Sequence, residues 1–152
     1  MKKLFVSLLL LSFAAVCNAA DVGGKWIAEV KAPNGSKAER IFDFQASGDK
    51  LTGTITNLQV YRAIFQEQGK PALTGTLKTQ AADPQPIVDG KITGSDICFA
   101  VVDQMFGMEM RTEYKGKVSG DEIKFSVENV SAGGFGGPPM PAQEIVARRA
   151  GR

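Results

Sequence analysis

From Lys25 onward the chain is beaten out in twos. Trp26, Ala28 and Val30 alternate with Lys25, Ile27 and Glu29. Phe42, Phe44 and Ala46 alternate with Asp43 and Gln45, and Thr52, Thr54 and Thr56 share one register. The pattern returns in the second half. Ile97, Phe99 and Val101 alternate with Cys98, Ala100 and Val102. Met108, Met110, Thr112 and Tyr114 alternate with Glu109, Arg111, Glu113 and Lys115, and Ile123, Phe125 and Val127 alternate with Lys124, Ser126 and Glu128. A period of two sends successive side chains to opposite faces of an extended strand. No window after residue 20 carries a capped helical stripe. The chain is therefore expected to be all-β, with one face of each late strand apolar and the other charged, as in an antiparallel sheet wetted on one side.

The punctuation between the runs agrees. Pro33-Asn34-Gly35-Ser36, Ser47-Gly48-Asp49, Thr93-Gly94-Ser95-Asp96 and Ser119-Gly120-Asp121-Glu122 are turn signals, with Gly where a positive φ is needed. Gly90-Lys91-Ile92-Thr93-Gly94-Ser95-Asp96-Ile97 is echoed by Gly116-Lys117-Val118-Ser119-Gly120-Asp121-Glu122-Ile123, and Leu51-Thr52-Gly53-Thr54 by Leu73-Thr74-Gly75-Thr76. The spacing of these echoes varies, so they read as repeated hairpins rather than a solenoid. Two stretches break the rhythm. Residues 58–86 read as an extra hairpin or a long ordered excursion, either covering one end of the core or serving as a flap. Residues 131–141, rich in Gly and Pro around Phe135, read as a loop before a last strand, Ala142 to Arg149.

Met1 to Ala20 has the form of a secretory signal. Lys2 and Lys3 precede an apolar run from Leu4 to Val16, and Cys17-Asn18-Ala19 offers small residues for cleavage after Ala19. The run is shorter than the ~20 apolar residues of a membrane-spanning helix. Residues 1–19 are thus expected to be a signal peptide and residues 20–152 one β-barrel domain, periplasmic or secreted, with no integral membrane span. Lipidation of Cys17 is the alternative, although Val16 fits that processing poorly. Removing Lys2 and Lys3 from 18 basic residues leaves 16, equal to the 16 acidic ones, so long-range steering of a charged partner or of nucleic acid is not expected.

The absence of His removes Ser-His and Cys-His catalytic pairs and imidazole metal ligation, and two Cys cannot form a Cys-rich zinc site. No cofactor or metal site is expected, and no catalytic group. Glu109 and Glu113 alternate with Met108, Met110 and Tyr114, so they read as a solvated charge ladder with Arg111 and Lys115 rather than a glycosidase pair. Cys98 reads as a buried or half-buried structural thiol.

Gly24-Lys25-Trp26 near the expected mature start and Arg148-Arg149 on the last strand resemble the lipocalin and calycin-like group of barrels. The phrase Gly-Lys-Ile/Val-Thr/Ser-Gly also resembles small secreted bacterial β-barrel proteins. The resemblance implies a single antiparallel up-and-down barrel of about eight to ten strands, with Trp26 and a late basic residue meeting at its closed end. Parity selects Arg149, which shares a face with Ile145 and Ala147. A guanidinium over an indole gains about 0.5–2 kcal/mol.

Such a barrel is expected to be a non-catalytic binding protein for a small apolar ligand. The expected lining is Phe42, Phe44, Phe99, Met105, Phe106, Met108, Met110 and Phe125, with the mouth at the Met105–Met110 end, opposite Trp26. The alternative is a protein-binding module, an inhibitor or envelope assembly factor, working through the 58–71 segment or Phe135.

Overall fold

A computed structural model describes residues 21–31, 36–80, 83–105, 107–131 and 141–151. The expected signal peptide, Cys17, Phe106 and Phe135 lie outside the described residues, as do the side chains of Arg62, Ala63, Phe65 and Met105.

Among the described residues ten strands form one antiparallel sheet: β1 (Gly24–Lys31), β2 (Lys37–Ser47), β3 (Lys50–Phe65), β4 (Leu73–Gln80), β5 (Gln85–Pro86), β6 (Val88–Thr93), β7 (Asp96–Met105), β8 (Met108–Ser119), β9 (Glu122–Ser131) and β10 (Gln143–Arg149). Eight of them close in the order β1-β2-β3-β6-β7-β8-β9-β10, with β10 returning to β1 through Trp26 opposite Arg149 and Ala28 opposite Ala147. The molecule is a closed up-and-down barrel, and β4 and β5 are additions to it. Among the described residues no helix is long and apolar enough to cross a membrane.

The two ends differ in how the chain turns. At one end β2–β3, β6–β7 and β8–β9 are joined by two residues each, Gly48-Asp49, Gly94-Ser95 and Gly120-Asp121, with glycine φ values of 61°, 61° and 60°. A two-residue link with positive φ matches the right-handed twist of the strands it joins. Trp26, Arg149 and both ends of the described chain gather here. The longer connections lie at the other end, between β1 and β2, β3 and β4, and β9 and β10.

The strand that carries Thr52, Thr54 and Thr56 runs well past them in the structure. β3 holds 16 residues and pairs along its upper half with β4, from Leu58 opposite Gln80 to Phe65 opposite Leu73. The excursion over residues 58–80 is therefore a β-hairpin that carries the barrel wall past the rim. β5 then returns beside β3, with Thr54 opposite Pro86 and Ile55 opposite Gln85.

Inside, the inward register supplies a core of Trp26, Phe42, Phe44, Leu51, Ile55, Ile97, Phe99, Tyr114, Ile123, Phe125 and Ile145, each no more than 5% exposed. Gly116 sits on this register because Phe125 needs its place. A Cβ at Gly116 would lie 2.6 Å from the Phe125 ring. Cys98 departs from its expected burial and is exposed. With Ile97 and Phe99 both turned inward, it faces solvent between its cross-strand partners Lys91 and Lys115.

Candidate functional site

The aromatic residues named from sequence meet at the barrel centre. Phe42 stacks on Phe125 at 5.0 Å between ring centres and lies 5.6 Å from Phe44, and Phe99 stacks on Tyr114 at 4.7 Å. Phe99 also meets Phe42, Phe44 and Phe125 edge-on at 5.4–6.3 Å. These rings form a plug across the interior, packed against one another rather than around a void. Met110 lies above the plug, half-buried on the inward register. Met108, on the same register nearer the hairpin tip, is 41% exposed.

At the closed end, Trp26 donates its indole N–H to the Val22 carbonyl at 2.9 Å, and the Arg149 guanidinium carbon lies 4.2 Å from the ring centre.

Above the plug the inward register changes character on six strands at once. Phe44 and Phe42 give way to Arg40 on β2, and Ile55 gives way to Asn57 on β3. Phe99 and Val101 give way to Asp103 on β7, and Tyr114 to Thr112 on β8. Phe125 and Val127 give way to Asn129 on β9, and Ile145 to Gln143 on β10. Together they line a cleft of about 520 Å³ at the end opposite Trp26, with Tyr114 on its floor and Ile55, Val101 and Val127 as its apolar wall. That volume lies within the ~300–1,000 Å³ usual for small-molecule sites.

The polar groups of the cleft are held in place. Arg40 donates from Nε to Asn57 Oδ1 at 2.9 Å and from Nη1 to the Tyr114 hydroxyl at 2.7 Å. Its guanidinium carbon stands 5.8 Å from the Tyr114 ring centre. Asn57 is also the ladder partner of Arg40, so the backbone register sets this contact. Across the cleft, Gln85 donates to the Asp103 carboxylate, and Thr112 Oγ donates to Asn129 Oδ1 at 3.0 Å. Burial raises the pKa of Tyr114; the nearby Arg40 charge opposes the shift and Asp103 adds to it. Tyr114 is therefore a neutral phenol through the physiological range.

The hairpin prolongs one side of this mouth. The β2–β3 and β3–β4 registers are continuous, so Tyr61 and its partner Leu77 fall on the same strand face as Ile55 and Asn57, and Leu73 follows on that face. Tyr61 is 46%, Leu77 55% and Leu73 74% exposed. The Tyr61 hydroxyl donates to Gln59 Oε1. Near the root, Lys78 on β4 pairs with Glu39 on β2 at 2.7 Å, across the opposite face of β3.

Arg40, Asn57 and Tyr114 were not among the residues singled out from sequence. A usable signal existed, since Arg40 stands two residues before Phe42 on the same parity. The ladder that pairs it with Asn57, and the fold that brings Tyr114 across, were not in the sequence pattern. Compared with known proteins, the chain matches no family model, no curated protein and no solved structure.

Proposed function

We propose that this chain is an exported, non-catalytic binding protein of lipocalin-like build that takes a small, mostly apolar ligand at the open end of its barrel. The observation that carries the reading is the switch of the inward register, on six strands at one level, from a packed aromatic plug to a cleft of about 520 Å³. Here Ile55, Val101 and Val127 offer apolar wall, and the fixed amides and hydroxyls around them offer orientation. That is the usual composition of a small-molecule site. The chemistry of the cleft favours holding over reacting. Asp103 already accepts from Gln85, and burial keeps the Tyr114 phenol protonated near neutral pH, where it offers no base. The aromatic residues expected to touch ligand would serve as the floor beneath it, with Met110 and Met108 towards the rim. Export to the periplasm or beyond completes the proposal and rests on the signal-like residues 1–19.

Fluorescence of an uncharged probe, N-phenyl-1-naphthylamine, tests it. The probe should brighten with the folded protein, be displaced by apolar compounds, and fail to bind Val127→Trp, which fills the cleft. Absence of binding to the unaltered protein would move the function elsewhere.

A second reading, a protein-binding module, draws on one observation. Tyr61, Leu73 and Leu77 form an exposed apolar stripe on a hairpin that leaves the barrel. A partner would be expected to cover that stripe.

A further inference from the structure

We propose that the ligand's polar end is a single carboxylate and that Arg40 is the group that recognises it, an inference that rests on the binding reading above. Arg40 differs from the other described arginines. Arg111 pairs with Asp89 and Glu113, Arg148 with Glu122, and Arg149 with Asp21 and Asp121. Arg40 is half-buried at the bottom of a cleft, and among the described residues no carboxylate lies within ion-pair distance of it. Its Nε and Nη1 are occupied by two neutral acceptors, Asn57 Oδ1 and the Tyr114 hydroxyl. Those contacts fix the plane of the guanidinium and leave it without an ion-pair contact among the described residues. A partly desolvated cation held in this way gains most from an anion that can take the remaining donors.

Tyr114 strengthens the case. Its hydroxyl oxygen accepts from Arg40, so its own hydrogen is free to point into the cleft, and burial keeps that hydrogen in place. An anion seated at Arg40 Nη2 would thus meet a guanidinium and a phenol together. Asp103, on the facing strand and bound to Gln85, sets a negative charge in the same cleft. It repels any anion, a dianion more than a monoanion, which favours a carboxylate over a phosphate dianion at Arg40. Ile55, Val101 and Val127 then receive the hydrocarbon body.

The test compares two probes of the same length, octanoate and octan-1-ol, by calorimetry on the full chain. Octanoate should bind at least about tenfold more tightly, the range of a charge-assisted hydrogen bond, and added salt should weaken octanoate while leaving the alcohol unchanged. Arg40→Met should abolish the preference and retain alcohol binding, whereas Arg40→Lys should keep part of it. The comparison on the unaltered protein stands even where a variant fails to fold. Equal affinity for the two probes would overturn the role of Arg40 and leave the apolar-binding reading intact. Binding of neither would overturn both.

Discussion

The guanidinium carbon of Arg149 lies 4.2 Å from the centre of the Trp26 ring, and its nitrogens donate to the Gly23 carbonyl at 2.7 Å, the Asp21 carbonyl at 2.6 Å and the Asp121 carboxylate at 2.9 Å. One side chain from the last strand thereby ties the incoming chain, the β8–β9 turn and the largest ring of the core. The β1–β10 ladder is the seam at which the barrel closes, so this contact locks the end of the sheet to its beginning. Trp26→Ala should cost about 3–5 kcal/mol, as a large aromatic removed from a packed site does. Arg149→Ala should cost less, about 1–3 kcal/mol, and shift the emission of Trp26. Urea unfolding followed by circular dichroism checks both, and the emission of Trp26 follows the Arg149→Ala protein. A Trp26→Ala protein as stable as the parent would show that the seam closes without it.

Gly116 makes the opposite test, since there the missing side chain matters. Its Cβ would meet the Phe125 ring at 2.6 Å and Ile97 at 2.9 Å, inside the aromatic plug. Gly116→Ala is expected to destabilise by about 1–3 kcal/mol, the range for overpacking a filled core. Gly116→Ala with Phe125→Leu should recover part of the loss. Thermal melts of the single and double variants measure the coupling.

Tyr114 should titrate late in alkali. Burial holds its phenol above the ordinary value of 10.0, with Arg40 opposing and Asp103 assisting. Because its folded pKa is raised, the Tyr114 contribution to stability is full below pH 10.0 and is lost as pH rises through the folded value. Ultraviolet absorbance should show a late phenolate phase coincident with unfolding, and Tyr114→Phe should remove it.

The hairpin should be separable from folding. Leu73 and Leu77 are 74% and 55% exposed, so replacing both with Ser should change stability by no more than about 0.5 kcal/mol. Chemical denaturation reads this directly. A large loss would mean that the stripe is buried against something in solution.

Cys98 should react with a thiol reagent such as Ellman's reagent in the folded protein, at a rate that denaturant raises little, since the thiol already faces solvent. A thiol released only on unfolding would place it under the wall.

The all-β class, most of the strands and the Gly-centred turns were legible because they are local. A period of two needs only neighbours on the chain to declare which face of Ile123, Phe125 and Val127 is apolar, and a Gly at a two-residue link declares its own φ. Parity also set Arg149 rather than Arg148 on the face of Ile145 and Ala147, and the guanidinium that lies over Trp26 is that of Arg149. What stayed out of reach depended on distance along the chain. Cys98 and Ala100 share a parity, yet Cys98 is exposed and Ala100 fully buried; β6 and β8 flank both, but Cys98 lies opposite Lys91 and Lys115 and Ala100 opposite Val88 and Glu113, a pairing set by register. An extra hairpin was one of the two readings of residues 58–86, and β3 with β4 forms it; the length of β3 was hidden because the strand runs unbroken from the barrel wall into that hairpin. The cleft was hidden by distance along the chain. Arg40 and Tyr114 stand 74 residues apart, and only closure of the barrel brings them together. Alternation decides which side of a strand turns inward; the height at which inward residues from six strands meet is decided by ladder register, which belongs to the tertiary structure alone.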